Sequence, residues 1–174
     1  MKKQYGDLLI RDATIDDAEQ LCDWWNDGAV MEHAGFPNGI GITVDKVREK
    51  FEDNSDKNKR HMIIYKNIPI GEMNYREVDI GICEIGIKIC DFTMQNKGLG
   101  KIILSLFISE LFNELGYNKI ILNTNIQNQR AQHVYEKLGF KKIRTHENSW
   151  TNQLGVKQCS VDYELIKDAF VSFL

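Results

Sequence analysis

The chain has 174 residues, of which 43 % are hydrophobic and 27 % charged, with a formal net charge of −3. That balance describes one ordinary folded domain, long enough to bury a core without a disulfide or metal staple. Mild acidity argues against a nucleic-acid binder, and two prolines with no Ser/Gly/Pro-rich run exclude long disordered linkers.

A strand at 8–11 leads into a helix expected over 15–26, where Ile15, Ala18, Leu21, Cys22 and Trp25 recur at helical spacing and Thr14 caps the start. Gly28, Gly35, Pro37, Gly39 and Gly41 make 27–43 a loop, and a helix at 44–51 ends in a polar turn from Asp53 to Lys59. Strands follow at 61–66, 70–76 and 83–90. The last alternates, with Ile85, Ile87 and Ile89 on one face and Glu84, Gly86, Lys88 and Cys90 on the other. A long helix at 98–115 stops at Gly116, a strand occupies 119–124, and a helix from about 128 to 138 stops at Gly139. Strands at 141–145 and 157–166 close the chain, joined by a polar loop carrying Trp150.

The N-terminus has no apolar run behind its lysines, and charged residues interrupt the apolar helix, so the sequence reads as neither secreted nor membrane-spanning. Cys22, Cys83, Cys90 and Cys159 show no CxxC spacing and read as small apolar residues of a reducing, cytoplasmic compartment; no His/Cys pattern suggests a metal. The fold class is α/β of the mixed α+β kind, with antiparallel strands first and helix-connected strands later.

The segment Gln95-Asn96-Lys97-Gly98-Leu99-Gly100-Lys101 opens the long helix. A helix N-terminus exposes unpaired N–H groups and a positive dipole end, and normally attracts acids. Here there are two lysines and two glycines instead, which makes sense if an external anion, a phosphate or pyrophosphate, docks there. A glycine-assisted turn with solvated lysines is the alternative. The spacing fits neither a P-loop nor a dinucleotide fingerprint, because Ile102 follows Lys101 and Ile103 stands where the third glycine should be.

Gln95-x-x-Gly98-x-Gly100 resembles the acyl-CoA signature Q/R-x-x-G-x-G/A of the GNAT superfamily of N-acetyltransferases, and Asn128-x-x-Ala131-x-x-x-Tyr135-x-Lys137-x-Gly139-Phe140 resembles that family's second motif, in the right order. The resemblance covers nearly the whole chain. It implies a mostly antiparallel twisted sheet of six to seven strands with about four helices, and direct acetyl transfer from acetyl-CoA to an amine without a covalent enzyme intermediate. Gln95 to Lys101 would hold the pyrophosphate, the backbone of Ile89 and Cys90 would pair with the pantetheine arm at a splay beside the strand at 119–124, and Asn128 would contact the arm or cap its helix. Asn96 stands where the family often has glycine, and Asn tolerates unusual backbone angles.

In the family the second-motif tyrosine protonates the leaving thiolate, the role that the resemblance gives Tyr135 by position; it also belongs to the apolar face Ala131, Val134, Tyr135, Leu138, where a plain core residue is the alternative. Some relatives carry a glutamate base where this chain has Asn123, so Glu84 is the expected base, with Glu72 next; a surface ion pair with a cation such as Lys88 is the plainer use of Glu84. The acceptor pocket implied by the resemblance draws on Trp24, Trp25, Asn26, Asp27, Glu32, His33, Phe36, Glu72, Glu147 and Trp150, aromatics and acids suited to a cationic amine. The Trp24-Trp25-Asn26-Asp27 stretch resembles the RimJ/RimL-like branch, which acetylates protein N-termini and also includes enzymes for small amines and aminoglycosides, and is compatible with a homodimer. Two rival readings stand: an aminoglycoside or polyamine N-acetyltransferase, and a non-catalytic acyl-CoA-binding sensor, which Asn123 favours.

Overall fold

A computed structural model describes residues 1–52 and 54–174; Asp53, the expected start of the polar turn, lies outside the described residues. Eight strands form one sheet: β1 (Lys2–Tyr5), β2 (Leu8–Asp12), β3 (Asn58–Tyr65), β4 (Ile68–Asp79), β5 (Ile82–Ile89), β6 (Lys119–Asn125), β7 (Lys141–Thr151) and β8 (Lys157–Ile166). Their order is β1-β2-β3-β4-β5-β6-β8-β7, and every neighbouring pair is antiparallel except β5 with β6. The helices are α1 (Ala18–Asn26), α2 (Gly28–Met31), α3 (Val44–Glu49), α4 (Leu99–Asn113) and α5 (Gln129–Lys137).

The fold class matches the expectation, and the sheet is one strand larger than its upper estimate. The extra strand, Lys2–Tyr5, has no apolar alternation to announce it. It forms because backbone pairing with β2 satisfies its polar groups and Lys3 reaches Glu110 of α4 at 2.7 Å. The single-turn α2 is the additional helix. A short 3-10 turn, Ile15–Asp17, precedes α1. Its entry is fixed by Asp17, which accepts from the Thr14 backbone N–H at 2.8 Å and is gripped by both Arg11 terminal nitrogens at 2.7 Å.

The pleat of each strand sends alternate residues to two helical layers. Ile63, Met73, Tyr75, Cys83 and Ile85 face α4 and α5, where Phe107, Ile108, Leu111 and Leu138 are fully buried. Met62 faces α1 and α3 with Leu21, Trp25 and Val47. Each such side chain contributes about 1.5–3 kcal/mol on burial. α1 and α3 cover one half of the opposite face, leaving β5 to β8 open on that side.

Candidate active site

β5 and β6 are paired over three positions only: Ile82 with Lys119, Cys83 with Ile120 and Glu84 with Ile121. Beyond Glu84, β5 stays attached to β4 as far as Ile89 and β6 to β8 as far as Asn125. The sheet therefore opens as a wedge whose inner edges, residues 86–89 and 122–125, have no strand partner across the gap. A cleft of about 1160 Å3 runs through it.

α4 begins at one side of this wedge. Asn96 and Gly98 both take left-handed angles, φ +59° and +75°. Asparagine adopts there the conformation a glycine would supply. No side chain caps α4, and no acid occupies its first turn. A Cβ on Gly98 or Gly100 would meet nothing nearer than 3.9 Å, so both glycines border open space. Free N–H groups, a positive dipole end and room for close approach suit a pyrophosphate. Gln95, Leu99, Gly100 and Lys101 also line the cleft, whereas Lys97 points to solvent outside it.

Arg130 was not singled out by sequence reasoning, yet it lines the cleft and donates to the Gln95 side-chain oxygen at 2.5 Å. The signal was present: like α4, α5 has no acid in its first turn. Asn128 caps α5, accepting from the Ala131 N–H at 3.3 Å, and lines the cleft as well. Tyr135 is 7 % exposed and packs against Phe140 and Tyr163 at 5.7 and 6.0 Å between ring centres. It borders the cleft, and burial, with Tyr163 beside it, pushes its phenol up to about 12, so the proton is held at neutral pH.

Several expected site residues stand elsewhere. Glu84 lies where β5 and β6 are still paired, outside the cleft, and its carboxylate holds Arg76 at 2.6 Å. Glu72 is 1 % exposed and bonded to Trp25 Nε1 at 2.7 Å, Lys88 at 3.2 Å and Arg60. Trp25 is thereby a buried tie between α1 and the sheet, with the Arg60 guanidinium 4.8 Å from its ring centre. Asp27 caps α2 through the Ala29 N–H at 2.8 Å, and Phe36 lies half exposed outside the cleft. Ile89 lines the cleft but its carbonyl is taken by Gln95 Nε2 at 2.9 Å, while the Cys90 N–H is bonded to Ile70 at 2.8 Å. Burial pushes the Cys90 thiol up to about 12, which leaves it no nucleophile.

Trp150 belongs to β7, which runs six residues beyond the expected strand end at 145, rather than to a loop. Its ring lies against Gly35, where a Cβ would come within 2.4 Å of it. Gln153 clasps the same loop, donating to Gly35 and Gly39 carbonyls at 2.8 and 2.9 Å and accepting from the Asn38 N–H at 2.9 Å. The loop after α1 and the β7–β8 hairpin thus meet as a roof at the open face of the wedge, with Glu32, His33 and Trp150 on the cleft side.

Residues 7–141 match the model of the acetyltransferase (GNAT) domain. The chain is 26 % identical over 160 residues to the uncharacterized protein MJ1062 of Methanocaldococcus jannaschii, covering 86 % of this chain and spanning about a third (31 %) of that curated relative. Among solved structures it resembles spermidine N-acetyltransferase from Vibrio cholerae, in complex with CoA and spermine, with TM-score 0.84 and 19 % identity over 95 % of this chain and 98 % of that one. A GNAT-family acetyltransferase from Bacillus anthracis aligns with TM-score 0.79 and 22 % identity over 97 % and 99 %. With the domain match over most of its length and this fold, the chain belongs to the GNAT acetyltransferase family.

Proposed function

We propose that this protein is a cytoplasmic enzyme that transfers the acetyl group of acetyl-CoA directly to a primary amine. The observation that carries the reading is the uncapped N-terminus of α4, opened by Asn96 and Gly98 onto the wedge that Tyr135 borders. Acetyl-CoA supplies the reactive thioester. Its pyrophosphate is held by the N–H groups of 96–101 with Gln95, Lys101 and Arg130 nearby, and its arm lies along the unpaired edges of β5 and β6. Tyr135 holds a proton for the departing sulfur, and the roof at Glu32, His33 and Trp150 orients the amine.

The acceptor half of the cleft carries one acid, Glu32, while the Lys88 ammonium on its wall is held by Glu72 at 3.2 Å. A single acid suits a single amine, such as a protein N-terminus, better than a polycation, and the Trp24-Trp25-Asn26-Asp27 stretch supports the RimJ/RimL-like branch. A polyamine acceptor is the second reading, supported by the likeness to a spermidine acetyltransferase.

Calorimetric titration with acetyl-CoA, followed by release of free thiol with spermidine, an aminoglycoside or a tripeptide bearing a free N-terminus, tests the proposal. Micromolar binding that weakens with salt, and thiol release with at least one amine, are expected. Absence of binding overturns it; binding without turnover makes the protein a sensor of acyl-CoA.

A further inference from the structure

His146 Nε2 lies 2.5 Å from Asp162 Oδ2, and the other oxygen of the same carboxylate accepts from Asn123 Nδ2 at 2.7 Å. The register puts these groups on one face of the sheet, because Asn123 stands opposite Asp162 and His146 opposite Ser160. That face is the open, acceptor-side one. Asn123 is part of the cleft wall and also donates to Ser160 Oγ at 3.1 Å. Polar contacts thus run from the wall through Asp162 to an imidazole that is 33 % exposed. The strand that borders the wedge offers no carboxylate at Asn123, and one stands directly across the ladder from it.

We propose that the His146–Asp162 pair takes the proton an incoming ammonium must shed before it can attack, an inference that rests on the N-acetyltransferase reading above. Asp162 bound to Nε2 fixes the ring N–H there and leaves the Nδ1 lone pair as the acceptor, and the carboxylate stabilises the imidazolium that forms. The groups facing the ring are Asp162 and Ser160 on β8, Asn123 on β6, and Arg144 and Ser149 on β7. Arg144 favours the charged Asp162 carboxylate. Lys119 and Glu164, next along the face, are paired with each other at 3.3 Å, and Glu32 and His33 lie on the roof above β6.

One proton leaves the ammonium through a water to His146 and passes to solvent. The amine lone pair forms the C–N bond as the C–S bond breaks. The sulfur takes the Tyr135 proton, and the nitrogen's remaining surplus proton restores the phenol. Atoms and charge balance with one proton released.

The test compares kcat/KM against pH for the unaltered protein, His146→Gln and Asp162→Asn, with spermidine and with a free-amine tripeptide as acceptors. Both side chains are partly exposed, so the variants should fold. Each should lose about 10²-fold near pH 7, with acetyl-CoA affinity unchanged. The deficit should shrink as pH approaches the acceptor's own ammonium pKa, about 10 for spermidine and about 8 for the tripeptide's α-amino group, where the amine arrives neutral. A deficit equal at every pH, or none, overturns the pair's role while leaving the transferase reading intact. If the unaltered protein acetylates neither amine, the transferase reading falls and this inference with it.

Discussion

The amide of Gln95 spans two walls of the cleft: its oxygen accepts from Arg130 at 2.5 Å and its nitrogen donates to the Ile89 carbonyl at 2.9 Å. One side chain therefore ties the first turn of α5 to the end of β5 and holds a guanidinium beside the uncapped helix end. A charged hydrogen bond contributes about 1.5–3 kcal/mol, so Arg130→Ala should weaken CoA binding by at least about 10-fold. Screening should narrow the difference at high salt. Calorimetric titration at two salt concentrations checks this; an unchanged Kd would reduce Arg130 to a brace for Gln95.

Tyr135→Phe keeps the ring packed against Phe140 and Tyr163 and removes only the hydroxyl. If that hydroxyl protonates the sulfur, kcat should fall about 10²–10⁴-fold while acetyl-CoA affinity and melting temperature stay as they were. Steady-state kinetics with a saturating amine decide it. A retained kcat would leave Tyr135 as a wall of the cleft.

Legibility followed the kind of force involved. Helix α4 and the strand alternation of β5 were plain, since burial imposes period and the pleat repeats it. The anion site expected at 95–101 rests on lysines at a helix start, which are locally unfavourable without a ligand. A sequence does not show pairing partners: the Glu84 carboxylate meets Arg76 on β4, and that of Glu72 meets Trp25, Arg60 and Lys88 in the interior. The place of Asp162 is hidden in the sequence for the same reason. Its proximity to Asn123 and His146 exists only through the register of β6, β8 and β7.

Glu72 carries a structural prediction. Burial alone would push its carboxyl up, but Lys88, Arg60 and the Trp25 N–H outweigh that and hold it below the usual range. Glu72→Ala would strand two cations and an indole N–H, at a cost of about 3–5 kcal/mol. The melting temperature should fall by about 10 °C in a domain of this size. Glu72→Gln, which keeps an acceptor for Trp25, should fall less, and the acidic limb of its pH–rate profile should not move. A displaced limb would return Glu72 to the chemistry.

The burial of His61 carries a prediction for stability in mild acid. The ring is fully buried between Tyr75 and Phe107, with centres 5.7 and 5.3 Å away. Nδ1 approaches Asp12 at 3.2 Å without the alignment of a hydrogen bond, so among the described residues both ring nitrogens are unpartnered. Burial lowers its pKa to about 4, against the attraction of Asp12. The unfolded chain takes up a proton near pH 6.5 and the folded one only near pH 4, so stability is full above about 6.5 and drains as pH falls to about 4, by about 3 kcal/mol in all. His61→Leu removes the proton uptake and the orphaned nitrogens at similar volume. Urea unfolding at pH 7.5 and 4.5 should therefore show a smaller loss for the variant than for the unaltered protein; equal losses would place the acid sensitivity in the paired carboxylates Asp17, Glu72 and Asp162, all held below their usual range.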